Sequence, residues 1–331
     1  MKTIRASLIG FGAVGQGVVK VLLAKKDYLQ SIGIDLRIVA IADSRTAVID
    51  SEGVNLAAVL DSKKKKGVVG SEKISGTDII KTIDHELVIE TTPTNIDDGG
   101  VGLTNMLAAF EKGMDVVTSN KGPLALKYGE LIETANRSGS KLKFEATVGG
   151  AMPVINLACD TLAGNKILSM EGIFNGTCNY ILSRMVEEHA SYEQMLAEAQ
   201  ELGIAEADPI YDVEGIDTAS KLVIVANVIF GMNASYRDVT VTGITRITPE
   251  ALLLANRDGY AIKLIGEVND GKINVAPKLV PLDNPLAVGG TLNVFSVQTD
   301  ISGPITITGR GAGSIETASA ILSDIISLYK N

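Results

Sequence analysis

Two segments of the sequence hold lysine and carboxylate side chains in patterns that could catalyse a reaction. The first, Ser119-Asn120-Lys121, directly follows an apolar run that is typical of a buried strand. The second extends from Glu206 to Lys221 and contains five carboxylates within twelve residues, next to an apolar run. Carboxylates at this density repel one another unless a cation neutralises them, so the segment is suited to binding an ammonium group. Calcium is the competing ligand, but the spacing does not fit an EF-hand loop.

A glycine-rich turn near the N-terminus predicts a bound dinucleotide. The run Gly10-Phe11-Gly12-Ala13-Val14-Gly15 follows a strand-like segment and opens a helix. In such turns the first glycine allows the tight bend, the second lets the backbone approach the pyrophosphate, and the third brings helix and strand together. A purely structural glycine turn is the alternative. The position of the motif in the first strand-to-helix turn favours dinucleotide binding, with the helix N–H groups facing the phosphates.

The residues after the second predicted strand bear on the choice between NAD and NADP. Asp43 ends that strand, where a carboxylate commonly accepts hydrogen bonds from the adenosine ribose and favours NAD. Arg45 follows two positions later, and Lys63 to Lys66 form a run of four cations, so either could neutralise a 2'-phosphate. The lysine run is also explained as a solvated helix end, which makes Arg45 the better phosphate ligand. We therefore expect NADP to be preferred and NAD to be accepted.

Hydride transfer to or from a carbonyl group requires an acid or base that exchanges a proton with the oxygen. Histidine is the usual residue, but the sequence has only His85 and His189, each next to carboxylates in surface-like segments. We expect both histidines to be solvated, which leaves lysine or a carboxylate for this role. Asp217 and Lys221 lie four residues apart on a predicted helix, either as a surface ion pair or as part of a catalytic site.

The pattern of strands and helices predicts an α/β fold in two parts. Up to about residue 147, strand-like and helix-like runs alternate, which indicates a doubly wound, Rossmann-type parallel sheet. The predicted strands of this part are Ile4 to Ile9, Leu36 to Ala42, Leu87 to Glu90, Val116 to Thr118 and Leu142 to Ala146, and its helices are Val14 to Leu29, Leu103 to Lys112 and Pro123 to Asn136.

After about residue 150 the alternation ends, and the sequence predicts an α+β region. Its predicted helices are Ser191 to Leu202, Glu214 to Phe230 and one starting at Thr248, and its predicted strands are Ala261 to Val268, Lys272 to Leu279, Leu292 to Gln298 and Ile305 to Thr308. A final helix, Ile315 to Tyr329, is expected to pack back onto the first region. We therefore divide the chain into a dinucleotide-binding domain of residues 1–147 and 305–331 and a second domain of residues 148–304.

Composition and charge exclude several classes of protein. The chain of 331 residues is long enough for two compact regions, and its formal net charge of -9 opposes binding to nucleic-acid phosphates. The apolar run Leu222 to Phe230 is too short to cross a bilayer, and the early glycines disfavour a secretory signal. Cys159 and Cys178 lack metal-type spacing. We expect a cytoplasmic protein with reduced thiols that does not bind membranes.

Taken together, these residues resemble the homoserine dehydrogenases, and the resemblance covers nearly the whole chain. The matching stretches are Gly10 to Gly15, Ser119 to Lys121, Glu145 to Pro153, Gly172 to Tyr180, Glu206 to Lys221 and Gly309 to Ala318. The glycine motif is generic, whereas the Glu145 and Asn175 motifs and the acidic stretch are specific to the family. The resemblance implies NAD(P)-dependent interconversion of L-homoserine and L-aspartate 4-semialdehyde, in the biosynthesis of threonine, methionine and isoleucine.

The resemblance also implies roles for individual residues. The implied catalytic residues are Lys121, Lys221 and Asp217, the last of which orients Lys221, and the implied substrate ligands are Glu206, Asp212, Gly176 and Thr177. The implied cofactor ligands are Gly10, Gly12, Ala13, Val14, Gly15, Asp43, Arg45, Thr92, Asn120, Lys121, Gly311 and Gly313. The implied ligands of a structural monovalent cation, expected to be sodium, are the main-chain oxygens of Glu145, Val148, Gly150 and Met152.

The resemblance further bears on assembly and regulation. In this family the second domain serves substrate binding, catalysis and dimerisation, so we expect a homodimer. Relatives usually carry Thr at the position of Cys178, a change that we expect to affect packing more than chemistry. Some relatives continue into a regulatory domain, whereas this chain ends at Asn331, so we expect no feedback control by an appended domain.

Two alternatives differ in the chemistry that they require. Another amino-acid dehydrogenase on a similar scaffold, such as an L-aspartate dehydrogenase, forms an imine instead of an alcohol, and Asn175-Gly176-Thr177 disfavours it. A non-catalytic NAD(P)-binding redox sensor would bind the cofactor without turnover. Such a sensor would not need Lys121, Asp217 and Lys221 together.

Overall fold

The computed structural model describes residues 1–330 and contains two compact units. The first unit combines Met1–Gly150 with the C-terminal segment that begins at Gly313, and the second is Ala151–Ala312. The chain therefore leaves the first unit once and returns to it once.

The first unit contains a six-stranded sheet whose strands are buried on both faces. Its strands are β1 (Lys2–Ile9), β2 (Ile34–Ala42), β3 (Ala47–Ile49), β4 (Leu87–Glu90), β5 (Asp115–Thr118) and β6 (Leu142–Lys143). Their order is β3-β2-β1-β4-β5-β6, and all neighbours are parallel except β3, which runs antiparallel to β2. The chain winds outward from β1 to both sides, so the predicted doubly wound sheet is confirmed. Ligands of such sheets bind beyond the carboxyl ends of the strands at this switch point.

Helices connect the strands of the first unit. They are α1 (Ala13–Ala24), α2 (Lys26–Ser31), α3 (Leu56–Lys66), α4 (Gly76–Thr82), α5 (Gly100–Glu111) and α6 (Lys121–Ser138). Asn55 caps α3 by accepting a hydrogen bond from the Ala58 N–H, and the four-lysine run forms its last turn. Cations at a helix C-terminus interact favourably with the helix dipole.

The second unit contains a six-stranded, mainly antiparallel sheet. Its strands are β7 (Ile167–Ile173), β8 (Val239–Val241), β9 (Tyr260–Asn269), β10 (Lys272–Pro281), β11 (Leu292–Thr299) and β12 (Pro304–Arg310). The order is β12-β11-β7-β9-β10-β8. The predicted hairpin is confirmed, because β9 and β10 pair antiparallel around Asp270 and Gly271, both of which have positive φ.

The sheet of the second unit is accompanied by helices. They are α7 (Val154–Asn156), which continues into a π-helical turn, α8 (Gly176–Glu188), α9 (Tyr192–Glu201), α10 (Ile210–Val213), α11 (Ile216–Phe230) and α12 (Pro249–Arg257). The predicted capping box is present, since the Ser191 hydroxyl accepts from the Gln194 N–H while the Gln194 side chain accepts from the Ser191 N–H. Helix α11 is apolar around most of its circumference and buried, which is typical of a core helix.

The C-terminal helix α13 (Ser314–Tyr329) belongs to the first unit and packs against α1. Gly17 allows this approach, because a Cβ there would lie 2.2 Å from the Ser314 carbonyl oxygen. Ile321 and Ile325 of α13 are fully buried in the same apolar cluster as Val18 and Leu22 of α1.

Several predicted boundaries differ from the structure, three of them in ways that bear on the fold. The strand predicted over Leu142 to Ala146 ends at Lys143, because Glu145–Thr147 forms a 3₁₀ turn and the Glu145 N–H donates to Asp324. The helix predicted over Val14 to Leu29 is interrupted at Lys25 and forms two helices. The segment from residue 305, expected to return to the first region, pairs as β12 with β11 of the second sheet.

No helix within residues 1–330 combines the length and the apolar character needed to cross a membrane.

Candidate active site

The glycine turn between β1 and α1 is shaped to accept a phosphate group. Gly10 has a φ of +98°, and a Cβ on it would lie 2.5 Å from the backbone of Thr91. A Cβ on Gly15 would lie 2.2 Å from the Gly10 carbonyl oxygen, whereas one on Gly12 would meet nothing within 4 Å. Gly12 is the N-cap residue of α1, and no side chain caps this helix. The N–H groups of its first turn, at Ala13 and onward, therefore suit a bound pyrophosphate.

Charged groups surround Asp43, which directly follows β2. Its Oδ1 accepts hydrogen bonds from the main-chain N–H groups of Arg45 and Thr46, each at 2.8 Å, and its Oδ2 pairs with Lys63 Nζ at 2.6 Å. Burial raises the pKa of Asp43, but the hydrogen bonds to Lys63, Arg45 and Thr46 outweigh it and lower that pKa. The Arg45 guanidinium and Lys63 Nζ both donate to the Gly67 carbonyl oxygen. Two cations therefore lie beside Asp43, whereas the sequence favoured Arg45 alone.

Thr92 and Asn120 meet at the carboxyl ends of β4 and β5. Asn120 Nδ2 donates to Thr92 Oγ1 at 3.1 Å, and Asn120 Oδ1 accepts from the Gly122 N–H at 3.2 Å. Asn120 is thereby the N-cap of α6, and the half-buried Lys121 is the first residue of that helix. Three residues that the sequence associated with the cofactor thus lie at the edge of the sheet where ligands bind.

Lys221 and Asp217 form a buried ion pair in the second unit. Lys221 Nζ donates to Asp217 Oδ2 at 2.6 Å and to the Phe174 carbonyl oxygen at 2.6 Å. Only 9% of the Lys221 side chain and 7% of the Asp217 side chain are exposed. The i,i+4 spacing on α11 brings the two charges together. Their burial excludes the surface ion pair that the sequence left open.

Asn175 links this ion pair to Asp212. Its Nδ2 donates to Asp212 Oδ1 at 2.6 Å and to Asp217 Oδ2 at 3.0 Å, while its Oδ1 accepts from the Cys178 N–H and caps α8. Burial, and then the nearby charge of Asp217, raise the pKa of Asp212. A cationic ligand would stabilise the ionised form of Asp212, so the cluster matches an ammonium group.

The other predicted substrate ligands lie in different surroundings. Gly176 and Thr177 begin α8, and the Thr177 hydroxyl donates to the Ile204 carbonyl oxygen at 3.1 Å. Glu206 lies between α9 and α10 with an exposed carboxylate, which forms no hydrogen bond or ion pair within residues 1–330. The structure therefore places Asp212 in the buried cluster and leaves Glu206 outside its hydrogen bonds.

The two cysteines differ in exposure. Cys159 is exposed, whereas Cys178 is buried and donates from Sγ to the Asp212 carbonyl oxygen at 3.2 Å. Burial, and then the charges of Asp212 and Asp217, raise the pKa of the Cys178 thiol. Cys178 therefore remains an uncharged hydrogen-bond donor next to the acidic cluster.

Gly311 and Gly313 follow β12 and leave no room for side chains. A Cβ on Gly311 would lie 1.7 Å from Asn293 Nδ2. Gly313 has a φ of +127°, and a Cβ on it would lie 2.2 Å from Glu316 Oε2. The backbone in this segment therefore requires glycine at both positions.

The segment implied to bind a monovalent cation is buried. Glu145 begins a 3₁₀ turn and is 3% exposed, Val148 is fully buried, Gly150 has a φ of +59°, and Met152 is 2% exposed. Within residues 1–330, no group of three or more His, Cys, Asp or Glu side chains could hold a metal ion. A cation at this segment would therefore depend on main-chain oxygens, which suit hard cations.

The expectation that both histidines are solvated is wrong for His85. This side chain is buried, with Nε2 2.9 Å from Ser7 Oγ and Nδ1 2.8 Å from the Ile83 carbonyl oxygen. Burial lowers the pKa of His85. Its acidic neighbours in the sequence suggested a surface, but adjacent side chains point in different directions. His189 is exposed, as expected, and ends α8 with a φ of +53°.

Sequence reasoning missed Glu90, which is completely buried at the end of β4. It also missed the roles of Lys63, as the partner of Asp43, and Asn175, as the link between two carboxylates. A signal for Glu90 was available, because an ionisable residue directly follows the apolar run Leu87-Val88-Ile89.

Comparisons with known proteins match both units to one family. A family model described as homoserine dehydrogenase matches residues 153–326, and one described as its NAD-binding domain matches residues 10–145. A homoserine dehydrogenase of Methanocaldococcus jannaschii is 53% identical over 98% of each chain.

Solved structures give the same result. A crystal structure assigned as a homoserine dehydrogenase of Archaeoglobus fulgidus has a TM-score of 0.94 and 47% identity, covering 99% of this chain and 100% of that one. A hyperthermophilic archaeal homoserine dehydrogenase mutant in complex with NADPH has a TM-score of 0.87 and 26% identity, covering 98% and 97%.

Proposed function

The chain belongs to the homoserine dehydrogenase family, and on that premise we propose how its residues carry out the reaction. The protein is an oxidoreductase that interconverts L-homoserine and L-aspartate 4-semialdehyde with a nicotinamide dinucleotide. When bound, the cofactor supplies the group that accepts hydride from the alcohol or donates it to the aldehyde. The family assignment disfavours an L-aspartate dehydrogenase and a non-catalytic redox sensor.

The observation that supports the proposed chemistry best is the buried contact of Lys221 with two oxygens. Lys221 Nζ lies 2.6 Å from both the Asp217 carboxylate and the Phe174 carbonyl oxygen, and these two hydrogen bonds fix the position of the amine. We propose that Lys221 exchanges the proton with the substrate oxygen as general acid and base, and that Asp217 orients it.

The acidic cluster supports the binding of an amino-acid substrate. The half-buried Asp212 lies next to the buried Asp217, and both carboxyl groups share one amide donor, Asn175 Nδ2. Desolvation, and then repulsion by Asp217, raise the pKa of Asp212, and the charge of an ammonium group would offset both. We propose that Asp212 and Glu206 hold the substrate amino group, with the exposed Glu206 carboxylate moving to its ligand on binding. Gly176 and Thr177, at the start of α8, would hold the other end of the substrate.

Lys121 is proposed as the second lysine that acts at the carbonyl oxygen. It begins α6 directly after Asn120, whose side chain bonds to Thr92 at the end of the neighbouring strand. A cation at this edge of the sheet is placed to polarise a carbonyl group that lies against the nicotinamide ring. Gly311 and Gly313 would contact the cofactor through the backbone.

We propose that NADP is preferred over NAD. The Asp43 carboxylate, which would accept hydrogen bonds from a free ribose, is already bound by Lys63 and by two main-chain N–H groups. Arg45 and Lys63 lie together beside it and supply two cations for a 2'-phosphate. NAD would still bind through the glycine turn.

The remaining proposals concern assembly, the cation and location. The sheet of the second unit carries a cavity of about 290 Å³ lined by Ser169, Glu171, Glu267, Ser296, Gln298 and neighbouring residues. We propose that this sheet forms the interface of a homodimer, and that the main-chain oxygens of Glu145, Val148, Gly150 and Met152 hold sodium. We further propose that the enzyme works in the cytoplasm, in the biosynthesis of threonine, methionine and isoleucine.

A homoserine oxidation assay tests the proposed reaction. Absorbance of the reduced nicotinamide should rise when L-homoserine is added with NADP, and more slowly with NAD. L-aspartate should give no signal under the same conditions. Absence of turnover with L-homoserine and either cofactor, while the cofactor binds, would refute the proposed chemistry.

A further inference from the structure

Glu90 is a buried carboxyl group that no cation neutralises. It is the last residue of β4 and has no exposed surface. Within residues 1–330 its carboxylate accepts hydrogen bonds only from uncharged groups, those of Thr92 and Thr118. Burial raises the pKa of Glu90, and these hydrogen bonds oppose the change only in part. A buried carboxyl group without a counter-ion lowers the stability of the folded protein relative to an apolar residue. The contribution of Glu90 therefore lies in the groups that its side chain holds in position.

The partners of Glu90 belong to both loops that end at the ligand-binding edge of the sheet. Its Oε1 accepts from the Thr92 hydroxyl and from the Thr92 N–H at 3.2 Å. The Thr92 hydroxyl in turn accepts from Asn120 Nδ2 at 3.1 Å. The chain of hydrogen bonds therefore runs from Asn120 through Thr92 to Glu90.

A second contact joins Glu90 to the strand that leads to Asn120. Thr118 Oγ1 donates to the Glu90 carbonyl oxygen at 3.0 Å and accepts from the Asn120 N–H at 2.9 Å. Gly102 leaves the space for this arrangement, since a Cβ on it would lie 2.3 Å from Asn120 Nδ2. Asn120 is thus held at both its backbone and its side chain, directly before Lys121.

We propose that Glu90 is a positioning residue that fixes Thr92, and through it Asn120 and the start of the Lys121 helix, in the geometry that receives the nicotinamide end of the cofactor. This inference rests on the roles proposed above for Thr92, Asn120 and Lys121. The function of Glu90 is to accept two hydrogen bonds from Thr92, and a glutamine amide oxygen can do the same. Its negative charge is not required.

The test compares two ligands that differ only in the nicotinamide. Titration calorimetry measures the affinities for NADPH and for 2'-phospho-ADP-ribose, which lacks the nicotinamide. The difference between them separates the contribution of the nicotinamide from that of the rest of the cofactor. Glu90→Leu should weaken NADPH binding by about tenfold, since Thr92, which holds Asn120, loses a buried hydrogen-bond partner. The same variant should leave the affinity for 2'-phospho-ADP-ribose unchanged. Glu90→Gln should restore NADPH binding to within about threefold of wild type.

A matched control separates positioning from general loss of stability. Ser7→Ala, on β1 of the same sheet, removes a buried hydrogen bond to His85, which precedes β4, away from the strand ends that bear Thr92 and Asn120. It should lower the melting temperature without changing the ratio of the two affinities. If Glu90→Leu does not fold, Glu90→Asp replaces it, because its shorter side chain withdraws the carboxyl group from Thr92.

A double-mutant cycle tests the proposed route through Thr92. In a Thr92→Val background the hydroxyl link is already lost, so replacing Glu90 by Leu should weaken NADPH binding much less than in the wild type. The proposal is overturned if the effect of Glu90→Leu is the same in both backgrounds, if it weakens both ligands equally, or if glutamine does not restore binding. These measurements use binding alone. A wild type that binds NADPH but does not oxidise homoserine would refute the proposed function and leave this test intact.

Discussion

Replacement of Lys263 should change how the stability of the protein depends on pH. Lys263 lies on β9, is 5% exposed, and donates from Nζ to Asn179 Oδ1 at 2.9 Å and to Ser183 Oγ at 3.2 Å. Both partners are uncharged. Burial lowers the pKa of Lys263 from 10.5 to about 8, and the charge of Glu187 opposes this only in part.

The sign of the effect follows from proton binding. Between pH 8 and 10.5 the unfolded chain keeps a proton on this lysine that the folded protein has released, so stability rises with pH in that window. Below pH 8 the cost of burying the charge is present in full. Over the whole titration the free energy of unfolding rises by about 3 kcal/mol, and about 2 kcal/mol of this rise falls between pH 7 and 9.5.

Urea denaturation of the wild type and of Lys263→Met at pH 7, 8.5 and 9.5 measures this pH-dependent change in the free energy of unfolding. The chain has no Trp, so the transition is followed by circular dichroism. Met also breaks the hydrogen bonds to Asn179 and Ser183, but that loss does not depend on pH and cancels in the comparison. The wild type should gain about 2 kcal/mol relative to the variant from pH 7 to 9.5. Lys278→Met, on the adjacent strand, is the control, because Lys278 pairs with Glu267. It should show the wild-type pH dependence. A difference between wild type and Lys263→Met that stays constant over this range would refute the reasoning.

Four further outcomes are expected. Lys221→Ala and Lys121→Ala should each lower kcat by at least about 10²-fold, the loss typical of a general acid or base, and in Lys221→Ala the cofactor affinity should stay unchanged. Asp217→Asn should lower kcat by less, because it keeps a hydrogen-bonding oxygen near Lys221 but removes the charge. Arg45→Ala should raise the KM for NADP several-fold without affecting NAD, since it removes one of two cations beside Asp43. Ser191→Ala should lower the free energy of unfolding by about 1 kcal/mol through loss of the α9 capping box, with no change in kcat.

Each of these outcomes has a contrary result. A lysine variant that retains wild-type kcat at neutral and alkaline pH shows that this lysine has only a structural role. An unchanged KM for NADP in Arg45→Ala, or an equal rise for both cofactors, removes Arg45 from the 2'-phosphate site. A fall in kcat for Ser191→Ala would mean that α9 contributes to the active site and not only to stability.

Local patterns in the sequence predicted those features that depend on neighbouring residues. The glycine turn, the Ser191 capping box and the β9–β10 hairpin each depend on a few adjacent positions, and all three are present. The spacing of Asp217 and Lys221 also predicted their contact. It could not distinguish a surface pair from a buried one, because burial depends on what packs over α11.

Contacts between distant residues were not predictable in the same way. Lys63 reaches Asp43 across twenty positions, and Asn175 reaches Asp212 and Asp217 across thirty-seven and forty-two. Such pairs form only after the strands and helices have assembled, and a single sequence holds no record of which distant side chains meet. The burial of His85 was not predicted for the same reason, since its partner Ser7 lies on β1, 78 positions earlier in the chain.

The packing of α13 against α1 has a consequence for the order in which the protein matures during translation. The apolar surface of Val18 and Leu22 emerges from the ribosome early, but Ile321 and Ile325, which share its core cluster, are synthesised only after the whole of the second unit. The second unit is a continuous stretch of chain and can fold while that surface is still uncovered. Until then the apolar face of α1 lacks the helix that covers it in the folded unit. Chaperones that bind exposed apolar segments would act on this face of the nascent chain. The dinucleotide-binding unit is therefore completed only after the whole of the second unit has been synthesised.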